Sequence, residues 1–383
     1  MTPSPPGRLR RLLLTTIAMM LPLVVFGAVA EVVLRFLPVA TGLRSQPVNA
    51  ETPVFRFAAN RDFVWSVGPD FAIVNRGRTN NAGYVSDIDY ARDDPRPLLA
   101  VIGDSYVEAL MVPWGETLQA RLGQAAAPDA RVYAFAASGA PLSQYLVFAA
   151  AAVRDYGATH LVIVVVGNDF DESLSTYKHG PGFHLFVPRA DGSLELTRFD
   201  FTPSMLRRLV QQSALARYVI FNLQGNLAAA RLRDMLLGVA RANGYVGNVR
   251  ATAEPERIRL SEAAIDRFLA LLPEMTGLAP NRVLLALDGR RPELYTPDGV
   301  AASEGAYFAL MRRSLMAKAA ASGFGVLDLE PVFAAEHRRT GHRFEFETDA
   351  HWSGEGHRVA AEAVMASDLW RAFRASGRAA PRN

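Results

Sequence analysis

A serine, a histidine and an aspartate in this 383-residue chain have the types and neighbours that acyl transfer through a hydroxyl requires. Ser105 follows Gly103-Asp104 at the end of the apolar run Leu98 to Ile102, and a helix-compatible VEALMV comes next. A buried strand that stops on a glycine and hands a serine to a helix presents that hydroxyl at the carboxyl edge of a sheet, where open α/β sheets keep their ligands. A serine there also serves as an ordinary helix N-cap. Residue usage alone puts a Gly-Asp-Ser tripeptide in roughly one chain of this length in ten, so its meaning depends on what accompanies it.

The hydroxyl needs a base, and the chain has seven histidines. His160 stands before a strand, His179 and His184 fall in a hairpin-like stretch, His337 and His342 in a charged segment, and His357 on a helix. His351 stands apart in ETDAHWSGEGH, with Asp349 two residues before it. In extended backbone, residues two apart point the same way. The carboxylate can then hold the imidazole Nδ1 proton and turn the other ring nitrogen toward a nucleophile. Ser353 is placed to cap the helix that follows. With no cysteine and one well-placed histidine, a metal site is disfavoured. The chain has neither a Gly-x-x-x-x-Gly-Lys loop nor a Gly-x-Gly-x-x-Gly turn, so no cofactor is expected.

Two further strand ends carry groups of the right kind. RVYAFA leads to Ser138-Gly139-Ala140 and LVIVVV to Gly167-Asn168-Asp169. Successive strands of a parallel sheet end at one edge, so these turns can meet Ser105 although they are spread along the chain. The backbone amides of Ser105 and Gly139 and the side-chain amide of Asn168 then form one set of donors for an oxyanion. Glycine suits the middle place because substrate must approach the backbone closely. Taken singly, Gly139 reads equally as a helix-start turn and Asn168 as a turn former.

The elements that must position these groups follow an alternating pattern. Apolar strands LLAVI, RVYAFA, LVIVVV, RVLLALDG (282–289) and FGVLDLEPVF (324–333) are separated by helical patterns at 116–126, 141–157 and 305–321, and another follows at 354–373. This predicts an α/β class, a three-layer α/β/α flavodoxin-like domain over 97–375 with a parallel sheet of about five strands. A tail follows at 376–383. The gap from Phe170 to Asn281 is too long for a plain crossover. Its first part, around an Asp-Gly turn, reads as a hairpin, and Pro203 to Leu278 has helical spacing. We expect a mainly helical insertion over about 175–280, able to roof the site. The stretch 37–96, with Pro38, Pro47, Pro53 and Pro69, reads as a linker and edge segment.

Charge and hydropathy bound the setting. The net charge is +3, three basic residues (Arg8, Arg10 and Arg11) precede the first apolar run, and no Lys/Arg cluster marks the rest, which argues against nucleic acid as a partner. Leu12 to Ala30 is nineteen residues without a charge, close to the length that crosses a bilayer. Residues 1–36 are therefore predicted to be a signal anchor, single-pass in the inner membrane, with the rest on the periplasmic side. Ala28-Val29-Ala30 also has the small-x-small form of a cleavage site, which would release the protein into the periplasm. The apolar VVLRFL beyond Glu31 favours the uncleaved anchor.

Taken together, GDSY at 103–106, Gly139 in ASGAPLSQY, GND at 167–169 and DAHW at 349–352 resemble, in order, the motif blocks of the SGNH (GDSL-type) hydrolase superfamily. The resemblance runs over roughly Leu98 to Leu369. It implies Ser105 as nucleophile, Gly139 and Asn168 as oxyanion partners and His351 as base. The commoner family pattern has its aspartate three residues before the histidine, whereas Asp349 is two before His351. The DxHW form is similar to that of membrane-anchored members and of alginate-type polysaccharide O-acetyltransferases, whose motif order differs from this one. The implied activity is a serine-dependent ester hydrolase or O-acyltransferase acting on acyl, in particular acetyl, esters of carbohydrates or small molecules in the cell envelope. The competing reading, prompted by the large insertion and the shortened Asp-to-His spacing, is an inactive envelope scaffold or glycan-binding protein that keeps the fold.

Overall fold

The structure is a computed structural model that describes residues 8–223, 251–347 and 349–379. The part of the expected insertion from 224 to 250 and the last residues of the tail, 380–383, lie outside the described residues. The described chain separates into two units.

The smaller unit takes in 8–42, 63–75 and 204–223. Helix α1 (Arg8–Leu34) is long and apolar enough to cross a membrane, and its apolar side chains, Leu23 and Phe26 among them, are exposed along its length. At its end the Glu31 carboxylate accepts hydrogen bonds from Ser213 Oγ (2.8 Å), the Ala214 amide (3.1 Å) and the Leu215 amide (2.9 Å). It thereby supplies acceptors to the free amides that open the short helix Ala214–Arg217. Strands β1 (Arg61–Val67) and β2 (Ile73–Thr79) form a two-stranded ribbon that contributes 63–75 to this unit.

The larger unit is built on five strands: β3 (Leu98–Gly103), β4 (Arg131–Ala136), β5 (Ala158–Val165), β8 (Val283–Leu287) and β9 (Gly325–Asp328). They pair in parallel in the order β4-β3-β5-β8-β9. This is the expected α/β class with its parallel sheet. Residues of β3 alternate between two cores. Leu98, Ala100 and Ile102 pack with α4 (Leu142–Tyr156), α5 (Pro255–Thr276) and α6 (Tyr307–Ala321). Leu99 and Val101 pack with α3 (Leu118–Ala126), α7 (Leu329–Thr340), α8 (Gly354–Met365) and α9 (Asp368–Ala379). Cover on both faces explains why the strands are apolar at nearly every position. The chain leaves β3 for β4 on one side and returns to β5 on the other, so the carboxyl ends of β3 and β5 flank the point where the connections diverge. There an open sheet leaves a crevice.

The structure corrects four boundaries. Residues 37–96 are more than a linker: Val48, Phe55, Phe57, Tyr84 and Tyr90 are buried in the first core, and the Tyr90 and Tyr133 rings stack at 4.0 Å. The segment 175–280 is not all insertion. Its hairpin, β6 (His184–Pro188) with β7 (Leu194–Arg198), is present, but α5 is the crossover helix before β8 and buries Ile265, Phe268 and Leu272 against the sheet. The run 324–333 is four residues of strand and then helix, because Asp328 caps α7 by accepting from the Glu330 amide (2.9 Å). The last helix is two, with Ser367 Oγ accepting from the Trp370 amide at the second start.

Candidate active site

Gly103 ends β3 where a Cβ would come within 2.4 Å of Val107 Cγ2, so the chain turns directly over the strand end into α2 (Ser105–Glu108), a single helical turn. Capping of α2 falls to Asp104, whose Oδ1 accepts from the Tyr106 amide (2.9 Å). Ser105 is thereby relieved of that duty. Its Oγ lies 2.7 Å from His351 Nε2, and the other ring nitrogen, Nδ1, is hydrogen-bonded to Asp349 Oδ1. The His351 amide donates to the same oxygen (2.9 Å), which fixes the short Asp-x-His turn. Burial would raise the Asp349 pKa, but the His351 ring and amide carry it below the usual carboxylate value, so Asp349 is ionised against the imidazole.

The oxyanion candidates converge on the same place. Ser105, Gly139, Asn168 and His351 all line one cavity of about 330 Å³. Among the described residues, neither the Ser105 nor the Gly139 backbone N–H has a hydrogen-bond partner. Gly139 has φ +76°, a left-handed conformation that favours glycine, and its carbonyl accepts from Lys178 Nζ. Lys178 also pairs with Glu172, and Glu172 Oε2 accepts from Asn168 Nδ2 (3.3 Å). One short chain of polar contacts thus restrains two of the three expected donors.

The sequence reading missed several residues that surround this group. Glu108 is buried and accepts from the Ser138 amide (3.1 Å) and from Ser138 Oγ. Burial lifts its pKa to about 7, against the Ser138 hydrogen bonds that lower it. Asp104 is likewise raised by burial, and Asp169, which accepts from Tyr145 Oη (2.8 Å) and the Val166 amide (2.7 Å), is raised well above the carboxylate range by burial and by Asp104 nearby. At the end of β8, Asp288, Arg290 and Arg291 form buried ion pairs with one another and with Glu330 and Glu345. A signal for the last group was available: a tryptophan beside the base has one indole N–H that must find an acceptor once buried, and Trp352 Nε1 donates to Asp288 (3.0 Å). Of the other histidines, His357 is buried in α8, where Nδ1 accepts from the Leu118 amide (3.1 Å), and burial holds its pKa at about 3.

The sequence matches no protein-family model and no curated protein. Several solved structures are similar in fold at low identity. One is an α/β hydrolase from the metagenome of Lake Arreo, Spain (14% identity over 73% of this chain and 95% of that one, TM-score 0.38). Another is the extracellular lipase of Streptomyces rimosus (13%, 70% and 98%, TM-score 0.35). A third is a GDSL-like lipase from Parabacteroides merdae (12%, 76% and 99%, TM-score 0.36).

Proposed function

We propose that the chain is a serine-dependent ester hydrolase or O-acyltransferase, anchored by α1 and acting outside the cytoplasm on acyl esters, acetyl esters of envelope carbohydrates among them. The observation that carries this reading is the 2.7 Å contact between Ser105 Oγ and His351 Nε2 with the opposite ring nitrogen on Asp349. In this mechanism His351 takes the Ser105 proton as Oγ attacks the ester carbonyl. The carbonyl oxygen, now negative, is received by the N–H groups of Ser105 and Gly139 and by Asn168 Nδ2. His351 then gives the proton to the departing alkoxide, leaving an acyl-serine. Water or an acceptor hydroxyl, deprotonated by His351, attacks that acyl group and frees Ser105. A hydrolase and a transferase differ only in which nucleophile arrives.

The test uses the full-length chain in detergent with p-nitrophenyl acetate. Ser105→Ala, verified as folded by circular dichroism, should lose about 10³-fold or more in kcat, and a fluorophosphonate should label the wild type at Ser105 alone. Equal rates for the two proteins remove Ser105 from the mechanism. Acetylated oligosaccharide appearing when a glycan acceptor is added would assign transfer; ester consumption without it would assign hydrolysis.

A further inference from the structure

Arg291 reaches the two halves of the candidate site from a third strand end. It follows β8 and is 3% exposed, and its guanidinium makes a set of contacts that no other described residue duplicates. Nε and Nη2 grip Asp288 (3.1 Å to Oδ1 and 3.0 Å to Oδ2), and Nη2 shares its two N–H groups with Tyr106 Oη (2.8 Å) and the Ala350 carbonyl (2.8 Å) as well. Nη1 reaches Glu345 (3.3 Å). Tyr106 is the residue after Ser105, and Ala350 lies between Asp349 and His351. Tyr106 Oη itself donates to the Ala350 carbonyl (3.0 Å), which closes a triangle of hydrogen bonds. The far side of the histidine turn is held by the same group of charges, since Trp352 Nε1 donates to Asp288 Oδ1 (3.0 Å). The Ala350 carbonyl on one side of His351 and the Trp352 side chain on the other are thereby fixed to one buried ion pair.

We infer that Arg291 is a positioning residue for the proposed reaction: by clamping Tyr106 and the Ala350 carbonyl together it sets the distance between the Ser105 hydroxyl and the His351 ring. The inference rests on the esterase reading above. Its chemistry follows from the guanidinium's shape. Residues 349–351 lie outside helix and strand, and the backbone bridge between Glu345 and Trp352 ties only the far end of the turn, so the aim of the His351 ring depends also on what the turn's carbonyls and side chains are bonded to. A planar fork with several fixed N–H groups can serve Tyr106, Ala350, Asp288 and Glu345 together, whereas a lysine ammonium in the same place has three donors on a flexible stem. Asp288 and Glu345 offset the charge, so the group can stay buried while spending its remaining donors on the neutral oxygens of Tyr106 and Ala350.

Two variants test this. Arg291→Lys keeps the charge and removes the fork. Tyr106→Phe removes one oxygen from a buried ring and leaves the ion pairs intact, so it remains informative if the first variant does not fold. Each is measured in the full-length chain for kcat and KM with p-nitrophenyl acetate and for the rate at which a fluorophosphonate modifies Ser105, after circular dichroism shows it folded at the assay temperature. The clamp predicts a fall in kcat on the order of 10- to 100-fold for Arg291→Lys, a smaller fall for Tyr106→Phe, KM within about twofold of wild type for both, and labelling slowed in proportion to kcat. A purely structural role would lower the melting temperature and leave kcat and the labelling rate of the folded protein untouched. That result, with an active wild type, overturns the positioning role and spares the esterase reading. A wild type that neither hydrolyses the ester nor takes the label overturns both.

Discussion

The ends of β3 and β5 and the end of β8 both carry buried acids, yet they keep them in opposite ways. Around Ser105, Asp104, Glu108 and Asp169 face hydroxyls and backbone amides, and burial raises all three pKa values, Glu108 to about 7. Around β8, burial would raise Glu330 too, but Arg290 and Arg312 pull it below its ordinary value. Arg290 and Arg291 in turn are held above the usual arginine range, Arg290 chiefly by Glu330 and Arg291 against its own burial by Asp288 and Tyr106. On one side burial raises the carboxyl pKa values, and on the other guanidinium groups offset the charge. The difference suits their places. A site that builds negative charge on a carbonyl oxygen is helped where burial disfavours the charged form of nearby carboxyls, whereas a scaffold that fixes loops gains from directional, charge-assisted bonds.

The sharpest way to break the contrast is to strip the β8 side of a cation. Arg290→Met leaves Glu330 buried without its bidentate partner, and the loss of stability should be about 3–5 kcal/mol by urea unfolding. A change below about 1 kcal/mol would mean that these carboxylates do not need their arginines.

The β3 side is tested by pH. Glu108 in the unfolded chain gives up its proton near 4.5 and in the folded protein holds it to about 7, so between these values the native state binds more protons and stability falls as pH rises. The slope is roughly 1.4 kcal/mol per unit for this one group, or about 3 kcal/mol across the window. Glu108→Gln keeps an oxygen for both Ser138 donors and cannot ionise. Unfolding curves from pH 5 to 8 should show the variant gaining on wild type as pH rises, with a flat difference above about 7. Asp169 remains in both proteins, and Asp104, whose charge helps to raise the Glu108 pKa, titrates together with it, so the difference reads that pair. An unchanging gap over the whole range would show Glu108 ionised throughout.

The smallest effect belongs to a third setting, the surface. Arg358 pairs with Glu336, Glu355 and Glu362 on partly exposed faces of α7 and α8. Arg358→Ala should cost less than about 1 kcal/mol, and 0.5 M salt should remove most of that. A loss that survives salt would place this network with the buried pairs.

What the sequence disclosed and what it withheld follow from range. The strands were legible because both faces are covered, which makes each a short apolar run. Ser105, Gly139, Asn168 and His351 were legible because each sits at the end of such a run or beside a helix start, and Asp349 because it stands two residues from its partner. Arg291 gave no local sign: in DGRRPEL it looks like one more surface arginine, and its partners Tyr106 and Ala350 are 185 and 59 positions away. Glu108, in a four-residue helix, looks solvated until the chain folds it under Ser138. The burial of 37–96 was hidden because its apolar residues come in short β-like runs among prolines: Phe55 and Phe57 alternate with exposed Arg56 over too few residues to mark a core element. The division at Asp328 was written in the sequence, as an aspartate cap with Pro331 in the first turn after it.

The junction at Glu31 bears on how this chain can be processed. The peptide bond after Ala30 lies within the unbroken helix Arg8–Leu34, and the next residue holds the opening amides of a helix far along the chain. Scission needs an extended backbone, so a peptidase meeting the finished protein would have to unwind the end of α1 and detach Glu31 from Ser213, Ala214 and Leu215. Cutting at that bond would thus cost the helix at Ala214 the carboxylate that holds its opening amides.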